Sequence, residues 1–306
     1  MVEELHKTPI INKKFIKNKK MKTNHLIITV AFLVVGSVTS CTKSDKSDDF
    51  PIGDVPPVAG GFKASSEVAS ANLVAFFPFN GNILDAKNNV TGGVASGTTS
   101  FAAGKKGQAY KGSRTGFIKY EEAGPISTLK SFTVSMWINA IYHDGGAQCV
   151  FGLGKNDGSF WVNFFMLIEG QNPDSQTDKM FMKLHFEKNG VPNTEHWIEP
   201  FNEFRPDNMY NSWKHVVWTY DAVTSKAALY INGSKHGLPP GMEDRFASGG
   251  GATGVKLGDL NFKDPKRFVI GGIMNHSGAP FNNPEPWMLN YTGMIDEFRV
   301  YNKALS

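Results

Sequence analysis

Cysteine is almost missing from this chain. Two are present among 306 residues, Cys41 and Cys149, so at most one disulfide can form and a disulfide-built scaffold is excluded. The eight histidines are scattered, with no His-x-His or His-x3-His pair, which removes the usual short-range spacing of a zinc site. No segment carries a helical apolar period of useful length, and no repeat recurs at a fixed interval. A Gly-x-Ser-x-Gly nucleophile elbow is absent. So is a Glu-x-Asp-x-(x)-Glu run, the alternating arrangement that would put two catalytic carboxyls on one face of a strand. Gly249, Gly250, Gly251 and Gly254 are followed by no helix and make no phosphate cradle. Glu121 and Glu122 are adjacent and diverge, and so by the same alternation should Asp296 and Glu297.

A basic footprint is also lacking once the N-terminus is set aside. The formal charge is +4, but residues 1–40 hold seven Lys and two Glu, and the remainder carries about −1. That argues against a nucleic-acid partner.

The N-terminus reads as an address. Leu26 to Val35 is a ten-residue apolar run broken only by Thr29, too short to cross a bilayer and suited to a signal-peptide core. Val38-Thr39-Ser40-Cys41 resembles a bacterial lipobox, which implies lipidation at Cys41 and a membrane anchor through that lipid. Met21 is the better initiator, with residues 1–20 an upstream extension. The charged stretch Thr42 to Asp49 has no apolar period and reads as a flexible tether. Its acidic patch resembles the surface-export signal of Bacteroidota lipoproteins, which implies an outer-membrane protein facing the cell exterior. The expected organisation is a signal region over 1–40, a disordered tether over 41–70 and one domain over 71–306.

What the domain has in quantity is Phe (23) and Gly (32), a composition suited to short strands and tight turns. Phe132 to Asn139 alternates throughout, with Phe132, Val134, Met136 and Ile138 on one face and Thr133, Ser135 and Trp137 opposite. Leu73 to Phe77, Gln108 to Gly112, Phe117 to Tyr120, Phe160 to Ile168, Lys179 to Phe186, Trp213 to Asp221, Ala227 to Gly233 and Phe268 to Gly272 read as further strands. The chain closes on a last one, in which Phe298 and Val300 share a face. These features predict an all-β, two-sheet antiparallel sandwich.

Five stretches carry a resemblance: Leu73-Val74-Ala75-Phe76-Phe77-Pro78-Phe79-Asn80-Gly81-Asn82 running to Asp85, Phe132 to Ile138, Trp213 to Asp221, Ile270-Gly271-Gly272, and Gly293 to Ser306. Together they resemble LamG-like jelly rolls, a branch of the concanavalin A-like lectin/glucanase fold. Lys111, where the family usually has Asp, is a departure. The resemblance implies that the first and last strands pair. It also implies a structural Ca2+ near that closure, for which Asn80, Asn82, Asp85 and Asp296 supply oxygens. Trp137, Trp213 and Trp218 fall in family strands and are expected in the core.

Function is expected in binding rather than catalysis. Two segments rich in rings and hydrogen-bonding groups interrupt the strands, Glu195 to Tyr210 and Asn275 to Asn290. From them Trp197, Glu203, Asn282, Asn283 and Trp287 are the candidate ligand residues, by aromatic stacking and polar contacts. A surface glycan is the first candidate partner. Alternatives are a cell-surface protein, reached by docking on an outer-membrane nutrient-uptake or adhesion complex, and a glycoside hydrolase activity.

Overall fold

In a computed structural model the residues described are 61–306, apart from 171–178, 251–252 and 282. Cys41, Met21, the tether up to residue 60 and Asn282 lie outside them.

The elements follow one another as β1 (Leu73–Phe77), β2 (Gly93–Ser96), β3 (Ser100–Ala103), β4 (Gln108–Lys111), β5 (Phe117–Tyr120), β6 (Phe132–Asn139), β7 (Ala147–Lys155), β8 (Phe164–Glu169) and β9 (Met182–Glu187). The second half continues with β10 (Glu195–Ile198), β11 (Lys214–Asp221), β12 (Lys226–Ile231), β13 (Ser234–His236), β14 (Arg245–Phe246), β15 (Gly249–Gly250), β16 (Pro265–Ile270), β17 (Met288–Asn290) and β18 (Met294–Tyr301). One sheet runs β13-β12-β11-β6-β18-β4-β3, with β1 also on β18, and the other runs β10-β9-β8-β7-β16-β5-β2, with β17 parallel to β7. β14 and β15 form a separate ribbon.

Alternation decides which side chains meet between the sheets. Phe132, Val134, Met136 and Ile138 of β6 face Phe164, Met166 and Ile168 of β8 and Leu184 and Phe186 of β9 in one buried cluster. Phe77, Phe151, Phe268 and Phe298 pack ring against ring at its centre, with centroids 5.4–6.4 Å apart. Such pairs add to the stabilisation from burial itself.

The expected closure is present. β1 pairs antiparallel with β18, Phe77 opposite Phe298 and Leu73 opposite Tyr301. β18 is bent where it changes partner. Its first residues pair with β4, its last with β1, and between Asp296 and Arg299 the register against β6 shifts. Glu297 has φ +51° there, the mark of a bulge. The extra residue lets Ile295 and Phe298 both enter the core, although strict alternation over three positions would oppose them. Asp296 and Glu297 therefore do not point to opposite faces. Both turn outward, to different partners: Asp296 Oδ2 accepts the Lys106 N–H at 2.8 Å, and Glu297 accepts the Ser65 hydroxyl and lies 3.6 Å from Arg299.

That contact ties the segment ahead of β1 to the last strand. Residues 61–70, assigned to the tether by composition, include a short 3-10 turn at Ser65–Glu67, and Ser65 is buried against β18. Among the described residues, side-chain contact with β18 is made from Ser65 onward.

A second apolar cluster covers the outer face of the other sheet. Ala147, Cys149, Phe165, Leu167 and Val269 face away from the core and are roofed by Val162, Ile273, Met274, Phe281 and Met288. The segment after β16 is thus a lid laid on the sheet. Cys149 is wholly buried here, and burial pushes its thiol well above the ordinary range.

Candidate functional site

The edge of that roof is a cleft. It encloses about 480 Å3 between Ala147 of β7, Leu167 and Glu169 of β8, Lys183 of β9, and Trp197 and Glu199 of the edge strand β10 and its end. Trp161 stands over it from the β7–β8 connection, and Trp287 closes the far side just before β17.

Period-two alternation puts these groups on one face. Met182, Leu184 and Phe186 of β9 enter the core, so Lys183, His185 and Glu187 must point outward. His185 is paired with Phe165 on one side and Trp197 on the other. The imidazole lies 4.5 Å from the Phe165 ring and 4.4 Å from Trp197. Burial holds it well below the usual histidine value, so it is a neutral platform beneath Trp197.

The three indoles form an arc. Trp161 is in the middle, its ring centroid 5.1 Å from Trp197 and 6.0 Å from Trp287, and all three remain part-exposed. The Asp157-Gly158-Ser159 turn sets the loop: Asp157 accepts both the N–H and the hydroxyl of Ser159. Trp161 also stacks on Phe165, 5.8 Å away and 11° from parallel. Gly146 fixes Trp287. A Cβ at that position would lie 2.1 Å from the Trp287 carbonyl oxygen, so only glycine permits the approach through which Ala147 donates to that carbonyl at 2.7 Å.

Opposite the rings is a charged triad. The Lys183 ammonium contacts Glu169 at 2.9 Å and Glu199 at 3.1 Å. Burial opposes its charge, but the two carboxylates outweigh that and hold Lys183 above the ordinary lysine value. Aromatic faces beside fixed acceptors and one ammonium can hold a ring that is apolar on its faces and hydroxylated at its rim. The arrangement does not resemble a glycosidase pair, because Lys183 occupies the space between the two carboxylates that such an enzyme leaves for its substrate.

Of the five ligand residues read from the sequence, the structure brings Trp197 and Trp287 into this cleft. Glu203 is exposed on the short 3-10 turn Asn202–Phe204, and Asn283 is exposed, accepting from Asn275 at 2.8 Å; neither lines the cleft. The segment from Glu195 is not a loop at its start but β10, whose alternation sends His196 inward against Phe186 and Trp197 outward. Trp161, Glu169, Lys183 and Glu199 were missed. The Asn156-Asp157-Gly158-Ser159 turn signal could have shown that Trp161 ends a loop rather than opening a strand.

Two further expectations are corrected. Trp218 is buried in the core, but Trp137 is part-exposed on the outer face of β6, stacked on His215 at 5.0 Å and under the Lys105 ammonium at 4.7 Å. Trp213 precedes β11 and is only half-buried.

Of the four oxygen donors expected for calcium, three accept backbone N–H groups nearby. Asp85 accepts four backbone N–H groups, from Phe76, Lys87, Asn89 and Val90, at 2.7–2.9 Å, which makes it the organiser of the turn after β1. Asn80 accepts from Gln108, and Asn82 from Leu84, each at 2.9 Å. Asp296 is the one of the four that keeps a buried carboxylate oxygen, Oδ1, without a partner. No group of three or more His, Cys, Asp or Glu suited to a metal occurs among the described residues.

Comparison with known proteins agrees with the architecture. Domain 4 of AbnA, a GH43 extracellular arabinanase from Geobacillus stearothermophilus solved with arabinotriose, is 19% identical, with TM-score 0.50, covering 77% of this chain and 94% of that one. Botulinum neurotoxin type C, whose cell entry depends on interaction with two ganglioside molecules, is 15% identical with TM-score 0.51 over 79% of this chain. This chain spans only half of that toxin chain. At such identities the likeness is one of fold. No curated protein matches. The family model described as the concanavalin A-like lectin/glucanases superfamily matches residues 112–306, and the chain belongs to that superfamily.

Proposed function

We propose that this protein is a carbohydrate-binding module without catalytic activity, and that the cleft under Trp161 is its binding site. The observation that carries this is the arc of three part-exposed indoles facing a Glu-Lys-Glu triad. Indoles left open to water at the rim of an apolar cluster offer stacking surface, and the triad offers orienting hydrogen bonds. That arabinanase domain 4 was solved with arabinotriose supports the reading by analogy of fold. A glycan array followed by calorimetry tests it, and absence of binding to every sugar at millimolar concentration would sink it.

The N-terminal sequence supports placing this module on the cell exterior, anchored in the outer membrane through lipid on Cys41. Replacing Cys41 with Ser should then move the protein from the membrane to the soluble fraction. Docking on an outer-membrane uptake complex is the competing use of the same anchor, and stoichiometric recovery of a transporter with the solubilised protein would favour it.

A further inference from the structure

Trp287, which closes the cleft on one side, has a second hollow on its other side. This depression of about 500 Å3 is lined by Arg114, Gly145, Pro286 and Leu289, and it shares Gly146 and Trp287 with the first. Trp287 is thus a ridge between two hollows, each of a size that takes a small ligand. A side chain at position 146 would strike the Trp287 carbonyl, so the ridge stands close against Gly146, and the two hollows meet there.

The first hollow is not electrically neutral. Two carboxylates, Glu169 and Glu199, share the single Lys183 ammonium at 2.9 and 3.1 Å, so negative charge is in excess by one. Both acids are part-exposed and keep lone pairs free for hydroxyl donors. A uronate, sialate or sulfate group set there would face two carboxylates at close range, and the ammonium beside them is already shared by both. An uncharged ring meets only acceptors for its hydroxyls and indoles for its faces.

Resting on the glycan reading above, we infer that the ligand is an oligosaccharide of at least two rings, laid across Trp287, whose ring at the Glu169–Glu199 end is uncharged. One ring lies under Trp161 and Trp197 with hydroxyls donating to Glu169 and Glu199, and the next lies on the Arg114 side of the ridge.

The test is calorimetry on the complete chain with neutral arabino-, xylo-, cello- and manno-oligosaccharides and with oligogalacturonides, each from one to six units. In whichever neutral series binds, affinity should rise at least tenfold from the monosaccharide to the trisaccharide. Oligogalacturonides of equal length should bind at least tenfold more weakly. The double substitution Glu169→Gln with Glu199→Gln leaves Lys183 unpaired and should narrow or reverse that preference, with the thermal melt checked to show the fold is retained. A monosaccharide that binds as tightly as its trisaccharide overturns the placement across Trp287. Oligogalacturonides that equal or exceed the neutral series on the unmodified chain overturn the charge selection, whether or not the double variant folds. If no sugar of either kind binds, the carbohydrate reading itself falls, and this inference with it.

Discussion

Trp161 meets Trp197 edge to face, 84° between ring planes and 5.1 Å between centroids, although one comes from a loop and the other from an edge strand. Trp161 also touches Phe160, Phe165 and Trp287, so it is the ring through which the cleft holds its shape. Trp161→Ala is expected to weaken sugar binding by about 2 kcal/mol, some thirtyfold in Kd. Trp213→Ala, which lines no part of the cleft, should leave Kd within about twofold of the unmodified protein. Calorimetry on both variants with one neutral oligosaccharide checks this.

The contact between Ser65 and Glu297 carries a stability expectation. Glu297 is almost wholly buried, and Ser65 donates to its carboxylate. Ser65→Ala removes that donor and should cost on the order of 1–3 kcal/mol. A chain starting at residue 71 loses the same contact and the packing around it, and should melt lower still. Urea denaturation of the three chains would show it; equal midpoints would return residues 61–70 to the tether.

Acid should destabilise the domain through His215 and His196, which packing holds neutral. Burial, with Arg299 nearby, lowers His215 to about 4, and burial, with Arg245 nearby, lowers His196 to about 4. The unfolded chain takes up these protons near the ordinary histidine value of about 6.5. Between there and about 4 the unfolded state binds more protons than the folded one, so this stability is present above about pH 6.5 and lost as pH falls toward 4. His215→Gln keeps a polar partner for Ser135, which bonds the imidazole at 2.8 Å. It should recover on the order of 2–3 kcal/mol of the acid loss, read from denaturation midpoints at pH 7.5 and 4.5. An unchanged acid limb in the variant would count against a neutral His215.

Calcium should have little effect. Asp85 is committed to its own turn, and Asp296 offers one free oxygen, too few for an ion that takes six to eight. Thermal melts with millimolar CaCl2 and with EDTA should agree within about 1 °C, since a ligand stabilises only by its binding to the folded state. A rise of several degrees that vanishes in Asp296→Asn would restore a site there.

The fold was legible to a large degree because its strands announce themselves locally. Phe132 to Asn139 and Phe117 to Tyr120 have the bounds that alternation suggests. β7 was not foreseen: its nine residues are nearly all buried, with core on one face and the roof on the other, so it shows no polar alternation. β10 was hidden for a different reason. Its four residues are flanked by Asn, Pro and Thr, and its pairing with β9 is a contact no short window contains.

By itself the sequence determined the sandwich, the outward-facing rows, the pairing of the first strand with the last, and two of the three indoles of the cleft. Each follows from a period of two or from a motif a few residues long. Only the tertiary structure decided that Trp161 completes the arc, that Lys183 stands between Glu169 and Glu199, and that Asp296 and Glu297 share a bulge. The first two relations join β8, β9, β10, the β7–β8 connection and the segment before β17, and the third joins β18 to β6. All depend on register across a sheet or on how the roof is laid over it. Neither is written in the spacing of residues along one strand.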